Sequence, residues 1–107
     1  MYQYIIKQED KGIVSIENDL GLAINNFHNI VQELQSDIVE DIVNNYNENE
    51  IAENKATVIN KIRDRIPNTI LEKWDIETDT KVESLYKIDE DEFVQEVLGD
   101  CYNWFGL

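Results

Sequence analysis

The apolar positions of this chain change their period along its length. Over residues 1–16 they alternate loosely, with Tyr2, Tyr4 and Ile6 on one face, a turn-like Glu-Asp-Lys-Gly at 9–12, and Ile13, Val14 and Ile16 after it. Alternation around a glycine-containing turn predicts a short hairpin. From residue 18 the spacing becomes helical: Leu20, Ala23, Ile24, Phe27, Ile30, Val31 and Leu34 form one apolar stripe with a period near 3.6. Asn18 or Asp19 can cap this helix by accepting a hydrogen bond from a first-turn N–H. Beyond Ser36 the stripe resumes with Ile38, Val39, Ile42, Val43 and Tyr46, while Asp37 and Glu40 have capping-box spacing. Residues 18–50 therefore hold either one helix or two.

Residues 44–54 contain few apolar positions and read as a loop or a frayed helix end. Val58, Ile59, Ile62 and Ile66 predict a helix that stops at Pro67, because proline drives the preceding residue out of helical dihedrals. Pro67 can itself open a short helix over 67–74, where its missing N–H costs nothing. In residues 81–88, Val82, Leu85, Tyr86 and Ile88 fit a helix slightly better than a strand. The clearest element is the last, in which Phe93, Val94, Val97, Leu98, Cys101, Tyr102 and Phe105 follow four acids at 89–92 that suit a helix N-terminus. The expected fold is mainly α: a compact bundle of four or five helices, with or without a short N-terminal β-hairpin, in a single acidic helical domain over 1–107.

Composition sharpens this picture through charge. The 23 Asp and Glu outnumber 9 Lys and Arg, a formal net charge of -14, whereas ordinary small domains carry a magnitude of about 2 to 8. Such a chain is repelled by DNA, RNA and anionic membranes, which are bound through Lys and Arg. A hydrophobic fraction of 42% is too high for a disordered acidic tail. One cysteine rules out an internal disulfide, and neither a signal peptide nor a membrane span is legible, so the expected location is the cytoplasm of a bacterial host cell.

The placement of the charge matters more than its sum. No Lys or Arg occurs in residues 12–54 or 88–107, and the bases Lys55, Lys61, Arg63, Arg65 and Lys73 gather between them. Glu33, Asp37 and Asp41 stand at i, i+4 and i+8, as do Glu92, Glu96 and Asp100. On helices these are rows of carboxylates about 6 Å apart. Each like-charge pair costs about 0.2 to 0.5 kcal/mol, where most helix surfaces alternate signs. Rows that cost stability suggest a surface offering a basic partner the pattern it expects from phosphates; the alternative is acidity for solubility.

Residues 59–74, INKIRDRIPNTILEKW, and the acidic segment 90–105, EDEFVQEVLGDCYNWF, resemble small acidic phage anti-defence proteins: the Ocr-type anti-restriction DNA mimics and the anti-CRISPR proteins. The first segment is similar to the Ocr-type order of helix, apolar residue with proline, and second short helix. Lys61, Arg63 and Arg65 depart from the continuous acidity of such mimics. The resemblance implies a class of function and no particular target.

Other candidate chemistry is thin. His28, at the border of its apolar stripe, lacks a discernible orienting group for catalysis. Cys101 lies on an apolar face beside acids that oppose a thiolate. Asp75, Glu77 and Asp79 alternate like a calcium loop, but there is no glycine at the sixth position and Tyr86 occupies the twelfth. Glu40 and Asp41 are an acid pair of the kind chance supplies in so acidic a chain. Among the aromatic candidates Trp74, Tyr86, Tyr102, Trp104 and Phe105, Trp104 falls off the apolar stripe and is the expected exposed anchor.

The resulting expectation is a non-enzymatic, phage-type inhibitor without cofactor or metal. It would block the basic DNA- or RNA-binding channel of a CRISPR effector or restriction enzyme through Glu33, Asp37, Glu40, Asp41, Glu92, Glu96, Asp100 and Trp104. It binds neither nucleic acid nor membrane directly, and a homodimer is open. The alternatives are an immunity protein or antitoxin against a basic nuclease toxin, or a helical oligomerisation or adaptor domain. Whether Lys61, Arg63 and Arg65 pair internally or reach a partner is also open.

Overall fold

The N-terminal alternation builds two paired strands in the computed structural model, which describes residues 1–106. β1 (Tyr2–Gln8) and β2 (Gly12–Glu17) are antiparallel, and Gly12 at φ 72° takes the left-handed position at the turn. The chain continues through α1 (Leu20–Asn45), α2 (Glu48–Glu53) and α3 (Lys55–Asp64), returns as β3 (Thr69–Asp75) and β4 (Thr80–Lys87), and ends in α4 (Glu90–Trp104). β3 pairs with β1 and β4 with β3, all antiparallel, giving the order β2-β1-β3-β4. The expected mainly α bundle is thus corrected: at 54% helix and 26% strand, the fold is α+β.

The correction has local causes. Residues 67–74 do not form a helix after Pro67; they form β3, whose Thr69 and Leu71 point to one face opposite Gln8 and Ile6 of β1. The buried carboxylate of Glu72 on the other face disguised the alternation. The segment expected to be helical over 81–88 falls instead largely in β4, and register shifts between Leu71 and Glu72 and between Lys73 and Trp74 break the period of two that would mark it as a strand. Within 44–54, Asn47 caps α2 by accepting from the Glu50 N–H at 2.9 Å, and Ile51 is fully buried. One cap and one anchoring side chain suffice for a helix of six residues. α1 is a single helix of 26 residues. Its cap is Asp19, which accepts from the Leu22 N–H at 3.0 Å, and Asp37 remains an exposed mid-helix residue.

The chain divides into two compact units, Met1–Val31 with Pro67–Ile88, and Gln32–Ile66 with the residues from Asp89 on. In the first, Ile6, Ala23, Phe27 and Leu71 are the core, with Tyr4, Val14, Ile24, Ile30 and Leu85 packed around them, so the early apolar stripe of α1 covers one face of the sheet. In the second, Ile38 and Ile42 of α1, Ile51 of α2, Val58 and Ile62 of α3, and Phe93, Val94, Val97, Leu98 and Cys101 of α4 are buried. Asp89 caps α4 by accepting from the Glu92 N–H at 3.1 Å.

On the sheet face away from Phe27, Glu72 is only 6% exposed and meets Lys7 at 3.1 Å and Lys81 at 3.0 Å, with the Trp74 indole N–H donating to it at 3.2 Å. Burial opposes its charge, but the hydrogen bonds from Lys81, Lys7 and Trp74 outweigh burial and hold its pKa below the ordinary 4.5. A depressed carboxylate stabilises the fold above its unfolded pKa, and that contribution is lost as pH falls through the folded value. Glu72→Gln is therefore expected to cost about 1–2 kcal/mol at pH 7, measured by urea unfolding. The gap between the two proteins should narrow on acidification; a gap independent of pH contradicts this.

Candidate functional site

Charge is partitioned between the two units. The first carries nine carboxylates and five bases; the second carries 14 carboxylates and four bases, a net of -10 in 54 residues. All eight residues expected at a partner surface lie in this second unit. α1 and α4 have no basic residue in their last turns, so Asp100 near the end of α4 faces the negative end of its helix dipole uncompensated.

Lys61 and Arg63 of α3 and its C-cap Arg65 make contacts within this unit. Arg65 pairs with Asp41 of α1, and Arg63 meets Asp91 at 2.5 Å and Glu90 at 3.5 Å at the start of α4. The Asp91 hydrogen bond is the main reason that the Arg63 pKa is raised, against a smaller opposing contribution from burial. Lys61 bonds to the Tyr46 hydroxyl and sits 4.8 Å from the centre of its ring. Asp41, Tyr46, Lys61 and Arg65 line a cavity of about 510 Å³ with Ile42, Asn45 and Asp64. Its two cations are matched by Asp41 and Asp64, so the cavity is locally neutral.

This pairing takes Asp41 out of its stripe. Glu96 is also engaged, accepting from the buried Gln35 amide at 2.5 Å. Among the described residues, Glu33, Asp37, Glu40, Glu92 and Asp100 have no basic partner, and all five are exposed.

Three of the expected residues come together. Glu40 of α1, with Asp100 and Trp104 of α4, lines a groove of about 380 Å³ that also includes Ser36, Val39, Val43 and Asn44. The α1 members recur at i, i+3, i+4, i+7 and i+8, a second stripe beside the one holding buried Ile38 and Ile42. Val39 and Val43, which belong to the apolar stripe after Ser36, are half-buried and line the groove. Their period was legible in the sequence; their distance from the main stripe was the available signal. Trp104 is 68% exposed at the rim. Glu33, Asp37 and Glu92 lie outside the groove lining.

The remaining candidates have structural surroundings. His28 is exposed, with its ring 6.1 Å from Phe27 and 6.2 Å from Tyr86. Cys101 is fully buried, and burial, with Asp100 adding to it, pushes its thiol up to about 11, so it is protonated and packed at neutral pH. In the β3–β4 turn, Asp75 accepts from the Glu77 N–H at 2.9 Å and Asp79 adopts φ 52°. Among the described residues no cluster of three His, Cys, Asp or Glu is arranged to hold a metal ion, and no helix is long and apolar enough to cross a membrane. No family model matches this chain, and neither a curated protein nor a solved structure matches it.

Proposed function

We propose that this protein is a non-enzymatic, phage-type inhibitor that occupies the basic nucleic-acid channel of a host defence enzyme, a CRISPR effector or a restriction enzyme, in place of DNA or RNA. The observation that carries this reading is the segregation of charge. Three of the four bases of the second unit are spent on internal contacts, while Glu33, Asp37, Glu40, Glu92 and Asp100 are exposed and have no basic partner among the described residues. Acidity needed only for solubility has no reason to concentrate in one unit or to line like charges along two helices at a cost in stability. A dense carboxylate field steers a basic partner, giving fast, salt-sensitive association.

The same surface suits an immunity protein or antitoxin bound to a basic nuclease. A separate observation favours self-association as the other class of function: among the described residues, the exposed large apolar side chains, including Ile13 at 55% and Ile16 at 51% on edge strand β2, fall in the first unit apart from Trp104.

The test is capture of partners from nuclease-treated bacterial lysate on the immobilised protein, elution by a salt gradient, and competition between duplex DNA and the protein for what is captured. A defence enzyme released by salt supports the proposal, and a nuclease toxin transfers it to the immunity reading. Retention only of further copies of this chain, stable in high salt, contradicts it.

A further inference from the structure

Building on the basic-surface reading above, we infer that the groove between α1 and α4 receives an arginine side chain of the protein partner, in preference to lysine, stacked on Trp104 between Glu40 and Asp100. Trp104 is the exposed large apolar residue of the acidic unit among the described residues, and it stands in the groove rather than apart from it. Three other rings of the molecule already carry an internal cation, with Lys73 4.1 Å from the Tyr2 ring centre, Lys7 4.6 Å from Trp74 and Lys61 4.8 Å from Tyr46, and the exposed Tyr86 ring lies against Phe27 and His28. Trp104 has none among the described residues, and no base occurs anywhere in 88–107 to supply one.

The surroundings favour a guanidinium. Val39 and Val43 offer an apolar floor to its methylene stem, and Glu40 and Asp100 offer carboxylates to its forked donors. A guanidinium is planar and weakly hydrated, so it stacks on indole while keeping its in-plane hydrogen bonds, which a compact, strongly hydrated ammonium does not. The volume of about 380 Å³ lies at the small end of ligand-sized cavities and suits one side chain rather than a docked helix.

The experiment titrates nona-arginine and nona-lysine peptides into the full, nitrogen-15-labelled chain at low salt, by calorimetry and through the Trp104 indole N–H resonance. Nona-arginine should bind at least about fivefold more tightly and shift that resonance. Trp104→Ala, whose folding is checked by circular dichroism, should erase the preference and leave nona-lysine affinity within about twofold, while Trp104→Phe retains part of the preference. Equal affinity of the wild-type protein for the two peptides, or a preference that survives Trp104→Ala, overturns the arginine site and leaves the basic-surface reading standing. Binding of neither peptide overturns both.

Discussion

Replacing Phe27 by alanine is expected to destabilise the protein by about 3–5 kcal/mol, a large share of the roughly 5–15 kcal/mol available to a domain. Phe27 is 4% exposed and joins Ile6, Ala23 and Leu71 in the core of the first unit, with the Tyr86 ring 6.0 Å away. Truncation removes the apolar transfer term and leaves a cavity that β1 and β3 are too tightly paired to close. Urea unfolding followed by circular dichroism measures the loss. Leu22→Ala, on the same helix but 53% exposed, serves as the control and should stay within about 0.5 kcal/mol. A loss below 1 kcal/mol for Phe27→Ala would mean that the early stripe of α1 does not anchor the sheet.

The second large effect concerns binding. Reversing Asp37, Glu40, Glu92 and Asp100 together to lysine should weaken association with a captured basic enzyme by about a thousandfold, four reversals at roughly 1 kcal/mol each. All four are exposed and without basic partners among the described residues, so the fold should be retained, with relief of like-charge repulsion along both helices. Asp41 and Glu96 are left unchanged because Arg65 and Gln35 depend on them. Surface plasmon resonance at several salt concentrations gives the affinity, and circular dichroism confirms folding. Unchanged affinity in a folded variant would show that the acidity is a solvation device.

The sequence made some elements plain and hid others for physical reasons. α4 was legible because a full apolar stripe and a cluster of first-turn acids agree, and Asp89 caps it. The hairpin was legible from its alternation and Gly12, but its partner was not, since β3 pairs with β1 from far along the chain, Thr69 opposite Gln8 being 61 positions away. Pro67 suggests a helix over 67–74, and the strand alternation that would oppose it is masked by Glu72, a residue type that rarely lies inside and is held there by Lys7, Lys81 and Trp74. With β3 in its place, the helix following proline in the resemblance to Ocr-type proteins is absent over 67–74.

Of the candidate site, the exposure of Trp104 and the two carboxylate rows followed from helical phase alone. Phase along one helix does not say which face meets another helix. The Arg65–Asp41 and Gln35–Glu96 contacts and the meeting of Glu40 with Asp100 and Trp104 are tertiary facts of that kind.

Competition with duplex DNA for the captured enzyme decides whether the acidic surface stands in for phosphate. Labelled duplex should be displaced stoichiometrically by the protein, and the apparent affinity of each should fall as the other is added. A ternary complex in which enzyme, duplex and protein are bound at once would contradict nucleic-acid mimicry.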